Sequence, residues 1–327
     1  MLLSFGRENH MNPGTRERRA SVPHCPRRFG VTRSLIAMAL LATGLLACGS
    51  GSDQESAAGS GVSMVPLTAT RVVSLVPSLA ELMVTIGAGD LIVARTDYDT
   101  HPAVVPLPSV GGGLDPSLEA LVQLEVDLVL MPEGQEMPAL AARLGDLGIS
   151  TVGFRTETVA DLYDSIDRLG ALVGRPDEAQ ALARDIASGL ADVEARVVDR
   201  PAVSVMYVIW SDPPMTTAGG SYVDELITIA GGRNVFADAP TRWPSVGYES
   251  IIRRNPSVLV WPRGATSDLT LDLIREMPGW RDLDAVQSGR VVFVDSDRFN
   301  RPGSDLAVAA ADLARALHPE AFTGTRP

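Results

Sequence analysis

The residue types that most often carry enzymatic chemistry are few and widely separated in this chain. The histidines and cysteines are His10, His24, His101, His318, Cys25 and Cys48. No pair of them has the spacing of a metal site, and the chain has neither a Gly-x-Gly-x-x-Gly motif after a strand nor a Walker loop. A Ser-His-Asp triad would have to use His101 or His318, and neither stands near a nucleophile-elbow motif. We therefore predict that the protein is not an enzyme, with no catalytic residue, metal site or cofactor.

Aromatic side chains in loops are better candidates for chemistry, namely the noncovalent binding of a ligand. Trp243 lies in a loop, away from any apolar periodicity, and we favour ligand contact over core packing for it. Trp210 ends a predicted strand at the carboxyl edge, where α/β proteins bind ligands, although core packing is equally open. Tyr98 follows Asp97 in an irregular loop. It could hydrogen-bond a polar ligand, coordinate iron as a phenolate, or pack against its own lobe.

Two further segments are candidates for ligand contact. One carries charged side chains, and the other leaves the main chain accessible. The residues from Asp297 to Arg301 follow the last predicted strand and place charge beside an aromatic ring, and their arginines could bind amide carbonyls or carboxylates. Gly113 ends a run of three glycines, which either serves backbone geometry or lets a bulky ligand approach closely. The predicted ligand-binding residues are Tyr98, Gly113, Trp210, Trp243, Asp297, Arg298, Phe299 and Arg301.

Short β-branched runs alternate with helical patterns from Arg71 onward. Strands are predicted at 72–75, 91–94, 127–131 and 151–154, with helices near 78–82, 116–124 and 136–146. The repeated strand–helix–strand order implies parallel strands covered by helices on both faces. We interpret residues 70–157 as an N-terminal α/β lobe.

A helical connector and a second α/β unit follow. Apolar residues recur at helical spacing over 158–173 and 176–198, and the second helix would be about 34 Å long at 1.5 Å per residue. We therefore predict a connector at 158–199 and a C-terminal lobe at 200–320. The lobe's predicted strands are 203–210, 258–261 and 291–294, and its helices lie near 221–230, 269–276 and 306–317. Two lobes joined by a stiff helix leave a cleft in which a ligand can bind.

The charge distribution separates the start of the chain from the rest. All 28 basic residues are arginine, and the formal net charge is −12, which argues against nucleic acid as a partner. Residues 1–47 carry a net charge of +5 and the remaining residues −17. A basic start on an acidic body is typical of a processed leader on a secreted protein.

The apolar run after Arg33 has the length of a signal-peptide core and is shorter than the ~20 residues of a membrane span. It ends in Leu45-Leu46-Ala47-Cys48, which resembles the lipobox of bacterial lipoproteins. The resemblance implies a signal peptide at 1–47 and lipidation of Cys48; the alternative is a free cysteine after an ordinary signal peptide. The Gly- and Ser-rich segment 48–69 is predicted to be a flexible tether.

Several segments together resemble the periplasmic binding proteins of ABC importers for cobalamin, haem and ferric siderophores. They are Arg71–Ser78 with Glu81, Leu118–Leu121 with Val126–Val129, Gly231–Phe236, and Pro256–Val260. The resemblance covers about residues 70–320 and implies an α/β fold of two Rossmann-like lobes joined by a single long backbone helix, the class III fold. It also implies that Glu119 and Glu249, in corresponding helices, each meet a basic pocket on one of two permease subunits. The alternative for both is a solvated surface carboxylate.

Within that family, Trp243–Glu249 and Asp212–Pro214 are most similar to the cobalamin binders, and Ser296–Phe299 resembles their ligand loop. The chain departs from them at Gly111–Gly113, where a stacking tryptophan is expected, and at Pro132-Glu133, where another aromatic is expected. The resemblance implies capture of a corrinoid in the interlobe cleft. A haem or ferric-siderophore carrier is the alternative, and a lipoprotein enzyme or an accessory factor without a permease is a third hypothesis.

The partners that this resemblance implies are a dimeric ABC permease with its cytoplasmic ATPase, and a membrane held through the lipid on Cys48. We expect a monomer on the periplasmic or extracellular face, with no nucleic acid bound. Because one rigid helix joins the lobes, we also expect only a small opening when ligand leaves.

Overall fold

Two four-stranded parallel sheets form the framework of this protein. The computed structural model describes residues 69–134, 137–264 and 266–323. The predicted signal peptide, Cys48 and all of the predicted tether except Ala69 lie outside these ranges. Within them, no helix combines the length and apolar character needed to cross a membrane.

The N-terminal lobe contains the elements that the periodicity predicts. Its strands are β1 Val72–Ser74, β2 Ile92–Ala94, β3 Leu128–Pro132 and β4 Ser150–Phe154, and its helices are α1 Pro77–Thr85, α2 Leu118–Gln123 and α3 Pro138–Asp146. The strand order is β2-β1-β3-β4, and all neighbours are parallel. Helices α1 and α3 both begin at a proline, which suits the first helical position because no N–H is needed there.

Two helices lie between the two lobes in the chain, and the second is the long helix that runs from one lobe to the other. They are α4 Val159–Val173 and α5 Pro176–Val197. A capping box between Thr158 and Asp161 begins α4, and Gly174 ends it in the left-handed region at φ 70°. Helix α5 is about 33 Å long. It starts beside the N-terminal lobe, where Arg175 donates from Nε to the Gly87 carbonyl at 3.4 Å, and ends where Val197 lies close to Gly231 of the C-terminal lobe.

The C-terminal lobe repeats the strand order of the first. The elements are β5 Val203–Tyr207, β6 Trp210–Ser211, β7 Pro214–Met215, α6 Tyr222–Ile229, β8 Gly232–Asn234, α7 Tyr248–Arg254, β9 Val258–Arg263, α8 Leu271–Glu276, α9 Asp284–Gln287, β10 Val291–Asp295, α10 Ser296–Phe299 and α11 Leu306–Leu317. The parallel order β10-β9-β5-β8 matches β4-β3-β1-β2 of the other sheet. The two-lobed α/β fold is confirmed, and the match makes α2 and α7 equivalent helices.

Two local predictions in this lobe were wrong, and one strand was missed. The strand expected over 203–210 ends at Tyr207, and Trp210 instead begins a two-residue strand that turns back through Pro213 to pair with Met215. Strand β8 was missed because its Gly232-Arg233-Asn234 sequence has turn-forming composition. The segment Ser296–Phe299, expected as a loop, is one turn of helix whose first N–H groups bond to the Asp295 carboxylate.

One hydrophobic core runs beneath both lobes without a break. It contains Val72 of the first sheet, Ile166 and Leu190 of the connector, and Val205 of the second sheet, all 6% exposed or less. Separate clusters cover the outer face of each sheet, and Val73 belongs to one of these. Because neighbouring strand residues point to opposite faces, this alternation shows that the strands are buried on both sides.

Direct contacts also tie the lobes together above the core. The Tyr222 N–H at the start of α6 donates to the Glu157 carbonyl at 2.8 Å. The Ser304 hydroxyl donates to Glu81 Oε1 of α1 at 2.6 Å. Helix α5, the shared core and these bonds join the lobes at several separate places.

Candidate functional site

A cleft of about 710 Å³ lies between the two lobes. The N-terminal lobe contributes residues just after β1 and just after β4, and the C-terminal lobe contributes residues from the end of β5 to β7, at the start of α6, in the loop before α7 and after α10. The carboxyl ends of parallel strands are the usual binding edge of α/β sheets, and here those of both sheets face the same space. The lining residues are Val76, Pro77, Ser78, Thr156, Glu157, Tyr207, Ile209, Met215, Tyr222, Val223, Trp243, Asn300, Arg301 and Pro302.

The wall from the C-terminal lobe is aromatic. Tyr207 is the last residue of β5, and its buried hydroxyl donates to Asn300 Oδ1 at 2.9 Å. Tyr222 is the first residue of α6, and its hydroxyl donates to the Phe299 carbonyl at 3.2 Å. The Trp243 ring lies 6.1 Å from that of Tyr222, centroid to centroid, at an interplanar angle of 60°. Such a wall offers flat apolar surface to a ring-shaped ligand.

Backbone hydrogen bonds hold the loop that carries Trp243. The Ala218 N–H donates to the Arg242 carbonyl at 2.8 Å, the Thr216 N–H to the Pro244 carbonyl at 3.1 Å, and the Val246 N–H to the Pro214 carbonyl at 2.8 Å. The loop therefore runs as an extended segment along residues 214–218. This pairing fixes the main chain on both sides of the indole.

Both cleft tyrosines are held in the neutral form. Burial raises the pKa of Tyr207 well above its ordinary value of 10, and the nearby Tyr222 adds to the rise. Burial raises the pKa of Tyr222 as well, although Arg301 opposes that change. Each hydroxyl already donates a hydrogen bond, so forming a phenolate would cost both the bond and the solvation of a buried charge.

The charged side chains of the cleft are paired. Glu157 forms an ion pair with Arg242, whose Nε also donates to the Gly220 carbonyl at 3.0 Å. Arg301 forms an ion pair with Asp297 at 3.1 Å. The described lining thus presents no carboxylate or guanidinium without an opposite charge beside it. Because its charges are already paired, the cleft favours a ligand whose edge carries little net charge.

The structure brings two of the predicted ligand-binding residues into this cleft, Trp243 and Arg301. The adjacent Arg298 points elsewhere, with ion pairs to Asp305 at 2.7 Å and Asp312 at 3.1 Å. The hydrogen bond that Arg298 Nε donates to the Asp305 carboxylate raises the pKa of that guanidinium further above its already high value. Phe299 is 2% exposed and belongs to the core, so only its backbone carbonyl takes part in the cleft.

Four other predicted residues lie outside the lining of the cleft, and one of them, Asp297, is connected to it only through its ion pair with Arg301. Tyr98 and Gly113 line a separate depression of about 340 Å³ at the carboxyl ends of β1 and β3. Gly113 packs against the Leu75 carbonyl so closely that an added Cβ would lie 2.5 Å from its oxygen. Trp210 is 61% exposed on the β6–β7 hairpin, and its indole N–H donates to the Asp212 carbonyl at 2.9 Å.

Sequence reasoning missed Tyr207, Tyr222 and Asn300. Tyr207 and Tyr222 sit in apolar periodic segments and are indistinguishable there from core aromatics. Of these three residues, only Asn300 could have been found from the sequence. It lies between Phe299 and Arg301, which were both predicted to bind the ligand.

The two predicted docking glutamates occupy matching places. Glu119 is the second residue of α2 and Glu249 the second residue of α7, and both side chains are exposed. Gln123 donates to Glu119 Oε1 at 3.2 Å. Across the parts of the chain that the structure describes, no group of three or more His, Cys, Asp or Glu residues could hold a metal ion.

Comparison with known proteins assigns a family. The sequence model described as "Periplasmic binding protein" matches residues 72–298, which is more than half of the chain. The chain is 26% identical over 318 residues to the uncharacterized ABC transporter substrate-binding lipoprotein YvrC of Bacillus subtilis, covering 90% of this chain and 99% of that protein.

Two further relatives carry ligand names. The chain is 30% identical over 235 residues to the vitamin B12-binding protein of Vibrio parahaemolyticus, covering 71% of this chain and 83% of that protein. The solved structure of the periplasmic haem-binding protein RhuT from Roseiflexus superposes with a TM-score of 0.67 at 25% identity, covering 77% of this chain and 99% of that one. These two relatives therefore differ in the ligand that their names give, vitamin B12 in one and haem in the other.

Proposed function

Because the chain belongs to the periplasmic binding protein family, we propose that it captures a corrinoid in the interlobe cleft and delivers it to an ABC-type permease. It is a substrate-binding protein of an ABC importer, as its relatives are. That family consists of transport proteins and not enzymes. The choice of ligand within it rests on the chemistry of the cleft.

The observation that carries the choice is an aromatic wall without unpaired charge. A corrinoid is a flat macrocycle whose edge bears neutral carboxamides, whereas haem carries two propionates and many siderophores are anionic. Glu157 and Arg301 are each neutralised by a neighbour, so the cleft offers no free cation to a carboxylate. Arg301 can still donate to an amide carbonyl with the N–H groups that Asp297 leaves free.

The protonated state of the two cleft tyrosines also favours a corrinoid over haem. Direct binding of ferric iron or haem iron by a cleft tyrosine would need a phenolate, and both Tyr207 and Tyr222 have raised pKa values and hydroxyls that already donate hydrogen bonds. A ligand whose metal needs no ligand from the protein suits this site better. Corrinoid cobalt can keep its own axial ligands.

We further propose that Glu119 and Glu249 dock the protein on the permease, and that the lipid on Cys48 holds it at the extracytoplasmic face. Two exposed carboxylates in equivalent helices suit two like permease subunits. Such charges set the docking register and the association rate more than the affinity.

The test is a titration of purified full-length protein with cyanocobalamin, haemin and a ferric siderophore, followed by tryptophan fluorescence and calorimetry. We expect submicromolar binding of cyanocobalamin and much weaker binding of the other two. Tighter binding of haemin, or a red-brown protein purified from rich medium, would overturn the corrinoid assignment. The membership in the transport family would be untouched by that result.

A further inference from the structure

Helices α2 and α7 share a surface pattern beyond their glutamates. In α2, Glu119 is followed two residues later by Leu121, which is buried, and three residues later by Val122, which is 49% exposed. In α7, Glu249 is followed at the same intervals by buried Ile251 and by Ile252, which is 48% exposed. Residues three apart lie on one face of a helix. Each helix therefore presents a carboxylate and a β-branched apolar side chain side by side.

The two pairs lie on the side of the molecule where the cleft opens. In a parallel sheet, the helix after a strand begins near that strand's carboxyl end, and α2 and α7 occupy the same place in the two equivalent sheets. The carboxyl ends of both sheets border the cleft. A partner placed over the mouth of the cleft can therefore reach Glu119 and Glu249 in the first turns, and Val122 and Ile252 three residues further along the same helices.

We propose that Val122 and Ile252 are the apolar anchors of the permease-docking surface, an inference that rests on the proposed function. Each anchor enters a shallow apolar depression on one permease subunit, and the adjacent glutamate meets a basic residue at its rim. A side chain that is fully desolvated at the centre of an interface commonly contributes more to affinity than a charge at the rim, which mainly changes the association rate. On this proposal, the anchors supply residence time and the glutamates supply orientation.

The charge of this surface favours the permease, and not a second copy of the chain, as its partner. Both exposed apolar residues stand beside a carboxylate, and the protein carries a net charge of −12. Self-association through these faces would place glutamate against glutamate in an acidic pair of molecules, and like charges across an interface are unfavourable. A partner surface with an apolar centre and basic residues around it would complement both the exposed apolar side chains and the carboxylates beside them.

The experiment measures binding of full-length protein to the permease–ATPase complex encoded in the same genome, reconstituted in lipid nanodiscs. Variant Val122→Ala/Ile252→Ala should bind about tenfold more weakly, through faster dissociation. The matched control is Val308→Ala, which truncates an equally exposed residue (48%) on α11. Its binding should equal that of the unaltered protein. Glu119→Ala/Glu249→Ala should slow association and flatten its salt dependence, whereas the alanine pair at 122 and 252 should leave the salt dependence intact.

The outcomes separate this inference from the function on which it rests. If the glutamate variant loses binding while the 122/252 variant behaves like Val308→Ala, the apolar anchors are refuted and docking by the glutamates survives. If the unaltered protein does not bind the complex at all, the importer role fails and the anchors with it. If sedimentation shows a dimer that the 122/252 variant abolishes, the surface serves self-association and the proposal is overturned.

Discussion

Ser304 and Glu81, 223 residues apart in sequence, are joined by a hydrogen bond of 2.6 Å between Oγ and Oε1 that connects the two lobes. Gly303 also lies against the Glu81 carboxylate. With helix α5 and the continuous core, this bond makes a wide hinge opening unfavourable. Scattering profiles with and without ligand should accordingly show nearly the same radius of gyration.

Replacing Ser304 by alanine should lower the free energy of unfolding by about 1.5 kcal/mol, the lower end of the range for a hydrogen bond to a charged group. It should also speed hydrogen exchange in residues 300–306. The matched control is Ser109→Ala, which removes a bond of the same length, to Asp97, within the N-terminal lobe. That control should leave exchange at 300–306 unchanged. Equal exchange in the two variants would mean that the Ser304 bond does not restrain the lobes.

The cleft tyrosines should titrate only when the protein unfolds. Their folded-state pKa values are raised above the unfolded value near 10. The stability that they contribute is thus fully present below pH 10 and is lost as the pH rises beyond it. An alkaline absorbance titration should show a slow phase coupled to unfolding, and Tyr207→Phe/Tyr222→Phe should shrink it. Phenolate formation by these two residues near pH 10 in the still folded protein would contradict the buried, neutral assignment.

Trp243 should account for most of the fluorescence quenching by cyanocobalamin. Trp261 and Trp280 lie in the core, 4.8 Å apart, and Trp210 is outside the cleft. We expect Trp243→Phe to lose most of the quenching, and Trp243→Ala to weaken binding by roughly 30-fold, about 2 kcal/mol. The control Trp210→Phe should retain both signals. If instead Trp210→Phe removes the quenching, the ligand lies at the exposed hairpin and not against the aromatic wall.

The ion pair of Glu157 with Arg242 should affect corrinoid affinity indirectly, because Arg242 directly precedes Trp243 and helps to fix its position. A partly exposed pair contributes about 0.2–1 kcal/mol, so Glu157→Gln should weaken corrinoid binding by no more than about fivefold. The loss should diminish at high salt, where the pair is already screened in the unaltered protein. Asp272→Asn is the control, since it breaks the Arg275–Asp272 pair on α8, and neither residue of that pair lines the cleft. A loss as large as that of Trp243→Ala would instead indicate direct contact of Glu157 with the ligand.

Lipidation makes a prediction about the start of the chain. In cells expressing the full precursor with a clickable palmitate analogue, Cys48→Ser should abolish labelling and move the protein out of the membrane fraction. Cys25→Ser should change neither result, because Cys25 lies before the predicted cleavage point. Labelling that depends on Cys25 would refute the assignment of Cys48.

Local sequence patterns were enough to predict most of the framework. The β-branched run at Val72–Val73 and the 3.6-residue apolar periodicity over 158–198 are properties of single segments, and recognising them needs no knowledge of the neighbouring elements. The same holds for the exposed position of Glu119 at the start of a short helix. Order along the chain was also sufficient to predict parallel strands, because the strands alternate with helices.

Which residues line the cleft depends on the tertiary structure. Successive residues of a helical turn point about 100° apart, so the single turn at 296–299 and the residues after it send Phe299 into the core and Arg301 into the cleft. Tyr207 and Tyr222 have the apolar surroundings of core residues, and they line the site only because the carboxyl ends of two sheets are brought face to face. That juxtaposition depends on contacts between residues more than 100 positions apart, such as Ser304 with Glu81, which no local pattern encodes.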